Sequence, residues 1–319
     1  FETLIKNTAV DLSHGIADSG HHYAMSSSAS LVSNNSQLKE KLSGLDYVAR
    51  MKKISQLQDL TPILEKIRAI RDQVISKDNL RSAINFSDDA EDFDVVQELK
   101  YKFYDLLGTG NNIIKNENKN NDENEKIDGI HHIMPYSTNY TAKSVLTVPY
   151  AHEDYPKLRI LGKLLSSVYL LPEVREKGGA YGAGAALSPN GVFTFYSYRD
   201  PNSIKTFEIF DKTCDFLRNF EFKDNYLNEA KLGVFQQIDA PIAPGNRTIL
   251  RFTDGITDDD IQRQRIALKA VTKDDVIGVA EKYLGDDKRN FVGRAIIGGE
   301  NKELSEKMGG RWRIVDQEV

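Results

Sequence analysis

The chain has 319 residues with 47 acidic and 42 basic side chains, a formal net charge of −5, and that length allows about two domains with sizeable cores. The mildly acidic balance, with no basic stripe interleaved with aromatics, argues against a nucleic-acid ligand, and no apolar run approaches the roughly 20 residues of a membrane span. A single cysteine, Cys214, excludes an intramolecular disulfide framework, and its place on the helical stripe Phe207, Phe210, Cys214, Leu217 makes it a core residue.

Phe1, Leu4, Ile5, Thr8, Ala9 and Leu12 already follow an amphipathic helix with no capping segment before them, which predicts that the chain is a piece of a longer polypeptide. Residues 1–110 read as one α+β unit: helix over 1–17, a strand near His22 to Ser30, helices near 36–57 and 60–76, a strand at Leu80 to Phe86, and a helix near 89–107. Lone strands between helices cannot make a sheet, so this unit is expected to be an incomplete domain. Residues 111–127 are rich in Asn, Lys and Glu, lack hydrophobic period and read as a linker or surface insertion.

The remainder, 128–319, is expected to be a complete second domain. Strands are predicted at His131 to Tyr136 and Ala142 to Val148, followed by a helix whose apolar face is Leu158, Leu161, Leu164, Leu165 and Val168. Ser188-Pro189-Asn190-Gly191 reads as a hairpin turn into a strand ending at Tyr198. Helices near 203–220, 224–238, 246–269 and 273–284 come next, the last opened by a capping-box-like Thr272-Lys273-Asp274-Asp275, and Phe291 to Gly298 closes as a strand. The fold class is α+β: a mixed sheet covered by helices on one side, repeated in two homologous domains of which the first is incomplete.

The segment from Arg175 to Gly184 carries the chemistry. Arg175 is charged at any working pH and its planar fork fits a peptide carbonyl, while the Tyr181 hydroxyl can donate to an oxygen on which charge develops. Gly178, Gly179 and Gly182, with Ala180 between them, let another backbone lie flat against this one. The same residues equally suit a Gly-rich turn leading into a strand. Arg199 is a further candidate for substrate contact, open against a structural ion pair with Asp200 or Glu208.

Nothing else in the sequence completes an active site. His21-His22 and His131-His132 are adjacent pairs that point to opposite faces if they lie on strands, and neither His14 nor His152 has a partner at helical spacing. There is no His-x-x-Glu-His, His-Glu-x-x-His or Gly-x-Ser-x-Gly segment, and no Gly-Lys-Ser/Thr follows the glycines as a phosphate loop needs. Donors without a nucleophile, base or metal make half of a site.

Pro172 to Gly184, Phe195 to Pro201, and Leu250-Arg251-Phe252 with Gln262 to Arg265 resemble the C-terminal half of the inverted-zincin metallopeptidases of the pitrilysin and insulysin family, most closely its presequence protease and falcilysin branch. Asp18 to Ala24, and Met51-Lys52-Lys53 with Pro62-Ile63-Leu64, resemble that branch's third domain, and the likeness runs from Phe1 to about Glu300. The resemblance implies a zinc metalloendopeptidase whose two halves close around a chamber that admits unfolded peptides. Zinc and its ligands would lie on an N-terminal half absent here, making that half a partner. Residues 1–110 would be the remainder of the third domain and 128–319 the fourth. Arg175 would grip a substrate carbonyl and Tyr181 would donate to the scissile one. A mitochondrion, a plastid-like organelle and a digestive vacuole are all compatible locations. The competing reading is a non-catalytic structural or peptide-binding relative, which need not keep the Arg and Tyr pair.

Overall fold

The computed structural model describes residues 1–85, 90–108, 127–285 and 291–316. The chain opens with helices α1 (Glu2–Ser30), α2 (Asn34–Ser43), α3 (Leu45–Ser55), α4 (Thr61–Val74) and α5 (Ala90–Asp105). It continues with β1 (Gly129–Ile133), β2 (Tyr140–Leu146), α6 (Tyr155–Leu165), a π-helical stretch Ser166–Glu176, β3 (Gly182–Leu187) and β4 (Val192–Tyr198). Then come α7 (Ile204–Asp211), α8 (Thr213–Asn219), α9 (Asp224–Ile238), α10 (Ile249–Asp254), α11 (Asp258–Ala270), α12 (Lys273–Leu284), β5 (Val292–Gly298), α13 (Leu304–Met308) and β6 (Trp312–Asp316).

Two compact units form. One comprises Phe1–Gln56, Asn124–Asp239 and Gln262–Val319; the other comprises Leu57–Glu123 and Ala240–Ile261. In the smaller unit Arg81 lies over the Phe252 ring and donates to its carbonyl at 3.0 Å, and Asn85 donates to the Gly245 carbonyl at 2.8 Å. The larger unit holds one six-stranded mixed sheet in the order β3-β4-β2-β5-β1-β6. β1 is parallel to β5 and β6, and the remaining pairs are antiparallel, with Ala142 opposite Tyr196 and Ala295.

Strand alternation sorts side chains onto two faces. Val145, Phe193, Phe195 and Ile296 pack with Leu158, Leu161, Leu164 and Leu165 of α6, with Phe207 and Phe210 of α7 and with Val276 of α12. Each fully buried Leu or Phe contributes about 1.5–3 kcal/mol. On the other face α1 crosses β2, β4 and β5. Its contact is small and polar: Ser28 meets Ser144 at 2.7 Å, Ser144 meets Thr194 at 2.9 Å, and Ser27 meets His132 Nε2 at 2.9 Å. A Cβ on Gly20 would strike the Tyr140 ring at 2.5 Å, so glycine there lets α1 lie against β2.

The α+β class and the mixed sheet match the sequence reading, and α6 to α12 supply the expected helical layer. Several elements differ. Residues 22–30 are helix, the continuation of α1. Their buried positions, Ala24, Ser27 and Ser28, recur at helical spacing but are too small and polar to register as an apolar stripe. Leu80 to Asn85 form no strand, and Phe86 lies outside the described residues. The predicted helix over 36–57 breaks at Gly44 and that over 246–269 at Gly255, which has φ +70°. β6 was not foreseen. Packing also groups the chain differently from the division at residues 110 and 128, because α1 to α3 share a unit with the sheet. The 111–127 linker lies largely outside the described residues.

Candidate active site

Local structure sets the Arg175 to Tyr181 loop. Pro172 has no N–H to give a regular helical ladder, and the chain leaves α6 through a widened turn in which Lys177 N–H donates to the Pro172 carbonyl at 3.0 Å, five residues back. Gly178 is then required: a Cβ there would sit 2.5 Å from the Val174 carbonyl oxygen. Gly179 turns the chain with φ +82°, a conformation that favours glycine. The N–H groups of Gly179 and Ala180 donate to the carbonyls of Arg175 and Val174 at 2.9 and 3.1 Å. Tyr181 N–H is taken by the Tyr198 and Arg199 carbonyls at 3.0 and 3.3 Å, which joins the loop to β4.

From this fixed backbone two side chains project together. The Arg175 guanidinium lies 5.9 Å from the centre of the Tyr181 ring, within reach of a cation–π attraction. Tyr181 is 67% exposed and Arg175 is exposed. Among the described residues neither the guanidinium nor the phenol hydroxyl has a hydrogen-bond or ion-pair partner, so both can turn to a ligand. They stand where the chain enters β3, an edge strand of the sheet. Behind Tyr181 the Tyr198 ring meets it edge-on at 5.6 Å, and His21 of α1 meets Tyr198 at 4.9 Å. Burial, then the neighbouring His22, push the His21 imidazole below its usual range.

The other candidates fall in different places. Ala180 is 4% exposed and its methyl belongs to the core, so it anchors the loop and offers no contact surface. Gly178 makes its close approach to the chain's own Val174 and Glu173 carbonyls. Gly182 alone of the three glycines named lies in β3 with open space, the nearest atom to a Cβ there being Tyr198 Cβ at 3.9 Å. Arg199 pairs with Asp18 at 3.5 Å and lies over the Tyr198 ring at 5.3 Å; Asp200, its expected partner, is fully buried and turns inward to Thr206.

The histidines are dispersed. His131 meets the Gly299 carbonyl at 3.1 Å on one side of β1 and His132 meets Ser27 on the other, as alternation requires. His21 and His22 sit on a helix, with ring centroids 4.0 Å apart. Among the described residues no group of three or more His, Cys, Asp or Glu side chains is placed to hold a metal ion, and no helix is long and apolar enough to cross a membrane.

Residues 131–298 match the family described as PreP C-terminal domain, and residues 1–54 match a second family, described as peptidase-associated. The mitochondrial presequence protease of Drosophila melanogaster is 40% identical over 98% of this chain and that of Mus musculus 34% identical over 96%. The chain belongs to the presequence protease family. It spans under a third of those relatives, 30% of the fly protein and 32% of the mouse one. Among solved structures, a peptidase M16 inactive domain from Pseudomonas fluorescens is similar over 66% of this chain and 51% of its own, with 16% identity and a TM-score of 0.48. Pitrilysin is similar over 60% of this chain and 22% of its own, with 14% identity and a TM-score of 0.44.

Two features of this presequence protease segment escaped the sequence reading. Tyr198 backs Tyr181, a contact that depends on the β3–β4 register, which pairs Gly182 with Tyr198. His21 reaches the same cluster because α1 continues as helix where a strand was expected. Its helical neighbours Gly20 and Ala24, both buried, were the available signal.

Proposed function

We propose that this segment is the substrate-anchoring part of a zinc metalloendopeptidase that cleaves unfolded peptides inside a closed chamber. The observation that carries this reading is the exposed, unpartnered Arg175 and Tyr181 side by side on a rigid loop at a sheet edge. The guanidinium grips a peptide carbonyl, and the Tyr181 hydroxyl donates to the scissile carbonyl oxygen as negative charge gathers on it. The described residues offer no ligand set for zinc, so the metal and the general base are assigned to the N-terminal half of the longer polypeptide. Residues 1–110 are read as the remainder of a third homologous domain and 128–319 as the fourth. Substrates are unfolded peptides of the presequence kind, as the relatives' name suggests, and the compartment by the same likeness is the mitochondrion. Gly182 and the neighbouring β3 backbone border the path of the peptide, with Arg199 as a further contact.

The test is steady-state peptidase kinetics on the full-length enzyme with an unfolded fluorogenic peptide. Tyr181→Phe is expected to lower kcat about a hundredfold or more while KM changes little, because the hydroxyl acts chiefly on the charge of the transition state. Arg175→Lys is expected to raise KM, since an ammonium cannot reproduce the planar fork. An unchanged kcat in Tyr181→Phe removes Tyr181 from catalysis and favours a non-catalytic relative that only binds peptides.

A further inference from the structure

Both ends of the loop that separates Arg175 from Tyr181 are held by one short segment leaving β4. At one end the Asn202 side-chain amide donates from Nδ2 to the Gly178 carbonyl at 2.7 Å. At the other, Tyr181 N–H donates to the carbonyls of Tyr198 and Arg199. Between them the Pro201 ring lies beside Gly179, 3.5 Å from where a Cβ would be. The segment is itself fixed from several directions. The Asp200 carboxylate, fully buried, accepts from Asn202 N–H at 2.8 Å and from the Thr206 hydroxyl at 2.6 Å. The Asp200 backbone exchanges two hydrogen bonds with Asn139, at 2.7 and 2.8 Å.

These contacts hold Arg199 at φ +46°, the single non-glycine residue with positive φ among the described residues. Such a conformation costs on the order of 1–3 kcal/mol and persists only where the surroundings impose it. An ordinary helix-capping role does not account for Asn202: it stands just before α7, yet its amide reaches a carbonyl 24 residues away. Gly178 is also the point where the widened turn ends, so its carbonyl is a natural handle on the direction in which Tyr181 leaves.

We propose that Asp200 and Asn202 form a clasp that orients the Arg175 and Tyr181 pair, with Asn202 as a positioning residue and Asp200 holding Asn202 in place. The proposal rests on the peptidase reading above. Its physical content is that loss of the Gly178 bond frees the loop to pivot at Gly179. A displacement of about 1 Å of a catalytic donor can cost on the order of a hundredfold in rate, while the grip on substrate changes less.

Asn202→Asp in the full-length enzyme keeps the size of the side chain and the backbone bond to Asp200, removes the donor and sets a carboxylate oxygen against the Gly178 carbonyl. The expected result is a kcat lower by about 10- to 100-fold with KM within about threefold. In a Tyr181→Phe background the same change should add less than about threefold, because the hydroxyl being positioned is already gone. Fully multiplicative effects overturn the clasp. If Asn202→Asp melts well below the parent, Asn202→Ser, which removes the amide without adding charge, takes its place. Hydrogen exchange at the Gly179 to Tyr181 amides gives a readout independent of turnover: it should rise in the Asn202 variant while the α6 amides stay protected. If Tyr181→Phe alone leaves kcat unchanged, the peptidase reading fails and exchange decides the clasp; unchanged exchange across that loop overturns it.

Discussion

Gly178→Ala should destabilise the larger unit although it adds one methyl group to a half-buried loop position. The added Cβ would lie 2.5 Å from the Val174 carbonyl oxygen and 3.1 Å from that of Glu173, against about 3.3 Å for a close C···O contact. Both oxygens are backbone atoms of the widened turn, so neither can rotate away as a flexible side chain would. Forced overpacking of this kind costs about 1–3 kcal/mol. A body of 150–250 residues loses about 2–4 °C of melting temperature per kcal/mol, so a fall of several degrees is expected. Gly182→Ala is the internal control: its Cβ would meet only Tyr198 Cβ at 3.9 Å, an ordinary contact, and its effect should stay within about 0.5 kcal/mol. Thermal unfolding followed by circular dichroism distinguishes them. Equal melting of Gly178→Ala and the parent, or an equal loss in both variants, would refute the reasoning that the first glycine is required by the chain's own backbone.

Acid should weaken the fold in two separate windows. Burial, then Arg313 and His131, push His132 down to about 3, while an unfolded histidine titrates near 6.5. Its neutral form is therefore compatible with the fold above pH 6.5, and stability is lost as pH falls from there towards 3, by up to about 1.4 kcal/mol per pH unit. His132→Gln, neutral throughout, should flatten the dependence of the urea midpoint between pH 6.5 and 4.5, and an unaltered slope would rule His132 out as its source. Burial pushes the Asp154 carboxyl up, but donors from Lys157 at 2.8 Å, Lys282 at 2.7 Å and Tyr283 at 2.9 Å outweigh it and hold the group well below the usual carboxylate range. That contribution is present above the unfolded value near 3.9 and lost as pH falls below it. Asp154→Asn should cost about 1–2 kcal/mol at pH 7, discounted for the partly exposed lysines. The gap to the parent should close near pH 2, and a gap as wide there as at pH 7 would contradict this account.

The sequence was most informative where one periodicity dominated. The Leu158 to Leu165 face, the alternation from Val192 to Tyr198, the Gly191 hairpin and the Thr272 capping box all appear in the fold as read. In each case local chemistry suffices: an apolar stripe, a pleat, a positive φ or a reciprocal cap. It failed on α1 because the buried stripe Ile16, Gly20, Ala24, Ser27 and Ser28 is mostly small or polar. Such residues are selected by how closely a helix must approach a sheet, and that distance is set by residues far along the chain: a Cβ on Gly293 would lie 2.2 Å from the Ser28 carbonyl oxygen. β6 was missed for a related reason, since its pairing with β1 in parallel depends on an edge that exists only after the sheet has formed.

The candidate site divides the same way. The sequence alone supplied the two donors, Arg175 and Tyr181, and the glycines between them, because fixed charge, phenol chemistry and freedom of φ belong to the residue types. Only the tertiary structure decided what those glycines serve, assigning Gly178 to the chain's own carbonyls and leaving open space at Gly182. It also paired Arg199 with Asp18 in place of Asp200, sent Asp200 inward, and brought Asn202 to the Gly178 carbonyl. Those outcomes turn on which groups lie within about 3 Å once β3 and β4 are in register and α1 lies across them. Distances of that kind are a property of the packed chain and are not written in the spacing of its residues.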